Sequence, residues 1–308
     1  MSSKRVEFTT FDGTILRGDL YKAEAKDAGV VVMTQGLSLL KEHFVDEIAK
    51  RFQAAGIAAL VYDHRGWGSS EGSPQFETDP LQQAADYHDA ITFAVSLQAS
   101  SQKPRVAIWE IGHSGGASMI AGNDPRLSAV ILVMPFTSGA RDAAAFPAGI
   151  LDKAWSNRAD TAAAWMSGST PDVEYVTLWA DSEANGMGEG PQRFLTGTAA
   201  YDFITTARLR SDRAGTPSEN KLSLQSFYHI ANIEPADYIS KIAPRALLYL
   251  AATTDALTGP LETHKEVFSH AAEPKEFVIL NNHHLANYFG EDFETNVGKQ
   301  IEFLKRHL

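Results

Sequence analysis

The chain has 308 residues, a formal net charge of −11 and no cysteine, and 44% of its residues are hydrophobic. That balance is typical of a globular protein, and the length is enough for one large α/β domain with an elaboration or for two small domains. Disulfides, thiolate metal sites and a cysteine nucleophile are excluded, and the acidic surface argues against nucleic acid or an anionic membrane as the main partner. No apolar run reaches the length of a membrane span and the first residues have no apolar signal core, so we expect a cytoplasmic protein.

The first half of the chain predicts a hairpin followed by alternating strands and helices. Asp12 and Gly13 separate two stretches of alternating apolar and polar residues, which is a strong hairpin signal. Continuous apolar runs, typical of buried strands, occur in AGVVVMTQG, IAALVYDHRG and RVAIWEIG. Helical spacing of apolar residues occurs between them, in KEHFVDEIAKRFQAAG, which ends at Gly56, and in DPLQQAADYHDAITFAVSLQAS.

The second half continues this alternation after one long interruption. Further strands are predicted in LSAVILVMPF, PRALLYLAATTD and KEFVILNNHH, and a closing helix is predicted in FETNVGKQIEFLKRHL. Alternating strands and helices predict an α/β fold with a doubly wound, mostly parallel sheet, built from residues 1–136 and 241–308.

Residues 137–240 form the interruption, which is too long for a loop without structure of its own. Its helical patches and Gly/Pro breaks predict a helical cap insertion over the carboxyl ends of the strands, where open α/β sheets bind ligands. Aromatic residues in this cap are candidates for the lining of an apolar pocket, although such residues more often fill a cap's own core. They are Trp155, Trp165, Trp179 and Tyr201.

A glycine-rich turn follows the predicted strand in RVAIWEIGHSGGASM. Residues Gly112 to Gly116 read G-H-S-G-G, which matches the G-x-S-x-G pattern of a nucleophile elbow with Ser114 as the nucleophile. In proteins with this motif an acid and then a histidine follow the nucleophile along the chain.

Candidates for the acid and the histidine lie where this order needs them. Asp255 comes just past one predicted strand, and His283 and His284 come just past the last one. We choose His284, because its neighbour points the other way on an extended strand end. The sequence therefore predicts a triad of Ser114, Asp255 and His284, in which the Asp255 carboxylate accepts a hydrogen bond from a His284 ring nitrogen.

The loop after the first buried strand, MTQGLSLLKE, is the candidate for an oxyanion hole. Such a site takes one backbone N–H from an early strand-end loop and one from the residue after the nucleophile. These requirements select the N–H groups of Leu37 and Gly115. His113 and Gly116 complete the predicted elbow.

Five stretches together resemble the α/β-hydrolase superfamily: MTQGLSLLKE, ALVYDHRGWGSSEG, VAIWEIGHSGG, TDALTGP and HHLANY. Within it, nearly the whole chain is similar to the fungal polyketide transferase and thiohydrolase-like branch of secondary metabolism. The resemblance implies an α/β-hydrolase fold, acyl groups carried by polyketide synthases as substrates, and the acid and histidine at Asp255 and His284. Gln35-Gly36 stands where that branch has His-Gly, and the DHRGWG loop is expected to be structural.

The elbow departs most from that branch, whose strand typically reads like IWGSSYSGG. A gapless alignment on Trp109 and on the last two glycines places the branch's nucleophile at Gly112 and its first glycine at Glu110. Ser114 then matches a second serine that is not expected to attack. The literal motif and the alignment thus disagree by two residues.

Two catalytic interpretations and one structural interpretation remain open for this turn. In the first, the strand is two residues longer and Ser114 is the nucleophile, which leaves Glu110 deep in a central strand at a cost. In the second, Gly112 occupies the tip, and Glu110 borders the pocket as an acid/base partner of His284. In the structural interpretation, Glu110 pairs with a buried arginine. We favour Ser114 as the main site residue, because it borders the oxyanion hole in either register.

The favoured function is hydrolysis or transfer of an ester or thioester of a medium-sized, apolar, polyketide-like substrate. The alternative is a non-hydrolytic biosynthetic enzyme that uses acid/base residues for a cyclisation, isomerisation or C–C bond step. A third hypothesis, an inactive binding protein, is opposed by the intact Asp255 and His284. No metal-ligand spacing or phosphate-loop pattern is present, so no cofactor is expected. The expected partner is a small-molecule acyl substrate, and a homodimer is left open.

Overall fold

An eight-stranded sheet forms the centre of the molecule, in a computed structural model that describes residues 2–25, 27–98, 103–183, 195, 197–216 and 218–308. The strands, in chain order, are β1 (Lys4–Thr9), β2 (Ile15–Tyr21), β3 (Val30–Met33), β4 (Ala58–Tyr62), β5 (Val106–Ile111), β6 (Leu127–Val133), β7 (Tyr175–Val176), β8 (Leu222–Ser223), β9 (Ala246–Ala252) and β10 (Lys275–Leu280). The short strands β7 and β8 pair only with each other, outside the central sheet.

The central sheet has the strand order β1-β2-β4-β3-β5-β6-β9-β10. Strands β1 and β2 form the predicted hairpin, and β2 also pairs antiparallel with β4. Every other neighbouring pair in this sheet is parallel. The doubly wound, mostly parallel sheet of an α/β-hydrolase fold is therefore confirmed. Because parallel strands end at the same edge, the loops after β3, β5, β9 and β10 meet there.

Helices cover both faces of the sheet. They are α1 (Val45–Ala54), α2 (Pro80–Ser96), α3 (Gly115–Ala121), α4 (Gly139–Ala145), α5 (Ile150–Met166), α6 (Thr198–Ala214), α7 (Leu224–Ala231), α8 (Leu261–Ser269) and α9 (Gly290–His307), with single-turn or 3₁₀ segments at Gly112–Ser114, Pro235–Lys241 and His284–Tyr288. Buried residues of α1 and α9 share one apolar cluster with one face of the sheet, and those of α2, α3 and α8 share the other.

Local chemistry explains where the longest of the early helices begins. Pro80 stands at the first position of α2, where its missing N–H costs nothing. The Asp79 carboxylate accepts hydrogen bonds from the N–H groups of Leu81 and Gln82, which would otherwise lack partners. The helix then buries Tyr87 and its apolar neighbours against the sheet under β5.

The insertion between β6 and β9 contains helices α4 to α7 and the β7–β8 pair, consistent with the expected helical cap; residues 184–194, 196 and 217 of it lie outside the described residues.

The aromatic residues predicted to line a pocket in this insertion separate into two kinds. Trp179 is buried and lines a cavity, whereas Trp155 and Trp165 are 53% and 60% exposed and Tyr201 is partly buried away from that cavity. The limits of cap and core, at 137–240, stay a prediction. Within the described ranges no helix is long and apolar enough to cross a membrane.

Two helical glycines test how closely α3 packs against the sheet edge. A Cβ at Gly115 would lie 2.6 Å from Pro135 Cβ, whereas at Gly298 in α9 no described atom outside the helix's own backbone lies within 4 Å. We expect Gly115→Ala to lower the free energy of unfolding by ~1–3 kcal/mol, because overpacking forces the backbone to shift. Gly298→Ala should raise it by ~0.5–1 kcal/mol through helix propensity. Urea unfolding measures both, and a neutral Gly115→Ala would contradict the tight contact with Pro135.

Candidate active site

The loops after β9 and β10 bring Asp255 and His284 together. His284 Nδ1–H donates a hydrogen bond of 2.9 Å to Asp255 Oδ2, as predicted, and both residues are buried. The Thr258 hydroxyl and the Leu257 N–H donate to the same carboxylate at 2.7 Å each. Burial alone favours the neutral acid, yet the His284 contact and these hydrogen bonds outweigh it and lower the pKa of Asp255. Because Nδ1 carries the proton, His284 presents the Nε2 lone pair to the site.

Gly112 occupies the tip of the turn after β5. The strand ends at Ile111, and Gly112 has a φ of +66°, in the left-handed region that glycine adopts readily. A Cβ at this position would lie 3.2 Å from His284 Nε2. The position that faces the histidine, where a nucleophile elbow carries its reactive side chain, therefore holds a residue without a side chain.

Ser114 is held by other partners than the histidine. Its hydroxyl donates to the Gln35 carbonyl oxygen at 2.6 Å and lies 3.2 Å from His64 Nε2. The single hydroxyl proton is used on Gln35, so His64 donates its Nε2–H to Ser114 Oγ. Burial lowers the pKa of His64 to about 3, which keeps this ring neutral.

The predicted role of Ser114 as nucleophile is therefore not supported by its geometry. Among the described residues, its hydroxyl makes no hydrogen bond to His284. The longer strand that this interpretation required is also absent, since β5 ends before Gly112. Ser114 instead joins the loop after β3 to the DHRGWG loop after β4, and its own position is fixed by the start of α3.

Leu37 and His113 are the candidates for the backbone donors near Gly112. Leu37 lines the cavity, and a Cβ on the adjacent Gly36 would be 3.9 Å from the His113 nitrogen. Within the described part of the chain, neither the Leu37 nor the His113 N–H donates to a protein acceptor. The Gly115 N–H, by contrast, donates to the Gly112 and His113 carbonyls. The Gly115 N–H, predicted as the second donor, is therefore already used within the turn, and the residue that directly follows Gly112 is His113.

Glu110 lies on the face of β5 opposite the cavity. Its Oε1 accepts from the Thr34 hydroxyl at 2.6 Å and its Oε2 from the Ser118 N–H at 2.8 Å, with no surface exposed. Burial raises the pKa of Glu110 to about 8 against these hydrogen bonds. The expected acid/base pairing with His284 is not formed, because successive strand residues alternate and Ile111 is the one that faces the cavity. The described partners of Glu110 include no arginine either.

Gln35 fixes the loop after β3 in the place of the histidine found in the similar branch. Its Oε1 accepts from the Gly36 N–H at 2.8 Å and from the Tyr288 hydroxyl at 3.2 Å, and its Nε2 donates to the His43 carbonyl. Tyr288 follows His284 in the same 3₁₀ turn. The glutamine therefore connects the candidate oxyanion loop to the turn that carries the histidine.

An apolar cavity lies over this turn, beneath the cap. Its walls include Leu39, Phe146, Trp179, Phe227, Ile230 and Leu285, and its polar lining includes His113, Asp142, Thr258, His284 and Tyr288 around the backbone of the elbow. Sequence reasoning missed Asp142, because it belongs to the cap and no motif surrounds it. Across the described residues, no cluster of histidines and carboxylates could hold a metal ion.

Comparisons with known proteins agree with the resemblance seen in the sequence. A family model described as serine aminopeptidase, S33 (Hydrolase_4) matches residues 25–205. The chain is 32% identical to the polyketide transferase grgF of Penicillium sp, with 98% of this chain and 96% of that protein covered. It is 30% identical to a thiohydrolase of Eupenicillium brefeldianum, with 98% and 94% covered. The crystal structure of the alpha/beta hydrolase GrgF from Penicillium sp. sh18 superposes with a TM-score of 0.79 at 29% identity, with 100% and 99% covered.

The pKa of Glu110 predicts how the stability of the protein changes with pH. The folded protein keeps the Glu110 proton up to about pH 8, whereas the ordinary value of such a carboxyl is 4.5. Between these values the folded state binds more protons than the unfolded state, so this group lowers the stability as the pH rises. We expect Glu110→Gln, which keeps the size and cannot ionise, to gain stability relative to the wild type between pH 5 and pH 8. Urea unfolding at both pH values measures this difference, and parallel pH profiles would contradict the raised pKa.

Proposed function

Because the chain belongs to the α/β-hydrolase family described as serine aminopeptidase, S33, and is an enzyme of that fold, we propose that it transfers the acyl group of a polyketide-derived ester or thioester without an acyl-enzyme. The observation that carries this proposal is Gly112 at the elbow tip, where a Cβ would lie 3.2 Å from His284 Nε2. Glycine has no group that can attack a carbonyl, whereas His284 can still accept a proton. We therefore assign the attack to a hydroxyl of the acceptor, which belongs either to a second molecule or to the acyl chain itself.

His284 acts as the general base in this reaction. Its Nε2 takes the hydroxyl proton as the acceptor oxygen forms a bond to the acyl carbon. The C–S or C–O bond to the leaving group then breaks, and the imidazolium returns the proton to the departing sulfur or oxygen, so that protons balance. The Asp255 carboxylate, held ionised by its hydrogen bonds, orients the ring and stabilises the imidazolium.

The tetrahedral intermediate needs donors for its negatively charged oxygen. We assign this role to the N–H groups of Leu37, which lines the cavity, and His113, which directly follows the tip, since among the described residues neither donates to a protein acceptor. Preorganised donors of this kind stabilise the transition state without reorganisation during the reaction. This part of a serine hydrolase site does not depend on the nucleophile's side chain, so it serves a carbonyl attacked by an external hydroxyl equally well.

The substrate class follows from the cavity and from the relatives. The walls are mainly apolar, which suits a medium-sized acyl chain. Two relatives are named as a polyketide transferase and a thiohydrolase, and these names support an activated acyl group of polyketide origin. When the attacking hydroxyl belongs to the acyl chain of the substrate itself, the product is a ring, so this mechanism also includes a cyclisation.

A fluorophosphonate probe tests the elbow directly, because it labels a serine only where a base activates it. We expect no labelling of the wild type and strong labelling of Gly112→Ser, since the new hydroxyl would stand beside His284 Nε2. A serine in the left-handed conformation costs ~1–3 kcal/mol, which the fold should tolerate. Mass spectrometry of the labelled peptide locates the site.

Two further variants serve as matched controls for the probe. Ser114→Ala in the Gly112→Ser background should keep the label, and His284→Ala in that background should lose it. Labelling of the wild type at Ser114 would overturn the proposal and return Ser114 to the role of nucleophile.

Steady-state kinetics test the absence of an acyl-enzyme. With decanoyl N-acetylcysteamine thioester as donor and a primary alcohol as acceptor, we expect a sequential rate law, because both substrates must be bound before any bond changes. His284→Ala should reduce the transfer rate by ~10²–10⁴-fold, the range of a general base. Ser114→Ala should reduce it by less than about tenfold once the folded fraction is corrected for. Ping-pong kinetics with a burst of released thiol would contradict direct transfer.

A further inference from the structure

One carboxylate in the cavity has no part in the proposed chemistry. Of the polar side chains that line it, His284 is the base, and the Thr258 hydroxyl donates to the carboxylate of Asp255. The Tyr288 hydroxyl donates to Gln35 and the Trp179 indole N–H donates to Ser38. His113 contributes its backbone N–H, and its ring stacks on Phe136 at a centroid distance of 4.3 Å. Asp142, in the first turn of the cap helix α4, remains without a role.

The Asp142 carboxylate is held in a fixed position by its neighbour in the chain. Its Oδ1 accepts hydrogen bonds from Arg141 Nε at 3.2 Å and Nη2 at 2.8 Å. The same guanidinium donates through Nη1 to the Thr137 hydroxyl at 2.8 Å, just after the end of β6. Gly259, in the loop that carries Asp255, leaves room for it, since a Cβ there would lie 2.7 Å from Arg141 Nη1. The pair is therefore anchored to the core as well as to the cap.

The second oxygen of Asp142 is the one available to a ligand. Among the described residues Oδ2 accepts no hydrogen bond, while the residue lines the cavity and its side chain is only 13% exposed. A ligand group that donates to this oxygen from within the cavity forms a charge-assisted hydrogen bond, so it gains affinity from the contact.

Local charge indicates which kind of donor fits. Arg141 already balances the negative charge of Asp142 in a salt bridge of 2.8 Å, so a cationic amine would bring an unpaired positive charge into an apolar cavity. A neutral hydroxyl or enol adds a hydrogen bond without adding charge. Oxygen functions of this kind on a hydrocarbon chain also match a lining that is otherwise apolar.

We propose that Asp142 determines substrate specificity by accepting a hydrogen bond from a hydroxyl or enol group on the acyl chain, at the part of the chain that lies under the cap. This inference rests on the proposed acyl substrate, but it concerns binding and does not depend on whether transfer proceeds with or without an acyl-enzyme.

Equilibrium binding to a His284→Ala protein separates recognition from turnover. The probes are the decanoyl N-acetylcysteamine thioester and positional isomers of it that carry one hydroxyl along the chain. We expect at least one isomer to bind about tenfold or more tightly than the parent thioester, in keeping with a hydrogen bond to a charged acceptor. Adding Asp142→Leu, which keeps the branched shape of the side chain and removes the acceptor, should abolish that preference while leaving the affinity for the parent thioester within about threefold.

The parent thioester reports whether the cap remains folded in the variants. Asp152→Leu, at an exposed acid of the neighbouring cap helix α5, is the matched control and should keep the hydroxyl preference. The inference is overturned if no isomer binds better than the parent, or if the preference survives Asp142→Leu. If the preference depends on Asp142 while the wild type shows ping-pong kinetics, the specificity role stands and only the direct-transfer mechanism fails.

Discussion

The left-handed turn at Gly112 is the constraint on which the rest of this site depends. It reverses the chain from the end of β5 into α3 within one 3₁₀ turn, and it points the tip at His284 Nε2. The close start of α3 makes this reversal possible, since a Cβ at Gly115 would meet Pro135 and one at Gly116 would lie 2.6 Å from Phe136 Cδ1. Gly115 and Gly116 therefore allow α3 to begin close to Pro135 and Phe136. This position of the helix is what places Gly112, and not Ser114, next to His284.

The polar residues beneath the elbow have structural roles, although their residue types are those often found in active sites. Ser114 and His64 are a serine and a histidine in contact, but the ring nitrogen donates to the hydroxyl and burial lowers the pKa of His64 to about 3, so the ring does not activate the hydroxyl. Glu110 has a carboxyl group with a raised pKa, yet its side chain lies on the face of the sheet opposite the cavity, where it contacts Thr34 and Ser118. Perturbed titration and a nucleophile next to a histidine are signs of function only when they face the cavity.

The sequence predicted the parts of the fold and site that local signals determine. Hydrophobic runs, the Asp12-Gly13 turn and strand-end positions were enough to find the hairpin, the parallel strands, and the hydrogen bond between Asp255 and His284. The alignment with the similar branch also placed Gly112 at the tip, beside the literal motif that favoured Ser114.

The register of the elbow and the roles of Glu110 and Asp142 could not be predicted, because they depend on contacts between residues that are far apart in the sequence. The choice between two registers rests on how α3 meets Pro135 and Phe136, about twenty residues later in the sequence. Side chains alternate between the two faces of β5, so the orientation of Glu110 could have been predicted from the sequence only if the last residue of the strand had been known. Asp142 gave no signal, because its position over the cavity comes from the packing of the cap and from Arg141.

A site of this kind can be effective without a covalent intermediate when its substrate supplies the rest. A general base contributes ~10²–10⁴-fold and each oxyanion donor a comparable factor, and a thioester is already an activated acyl group. Holding the acceptor hydroxyl next to the carbonyl adds an effective concentration of up to ~10⁵–10⁸ M for a well-oriented intramolecular reaction. Water has no such advantage in a cavity walled by apolar side chains. In the proposed reaction, glycine at position 112 offers no group that could form an acyl-enzyme, so the space beside His284 is left to the acceptor.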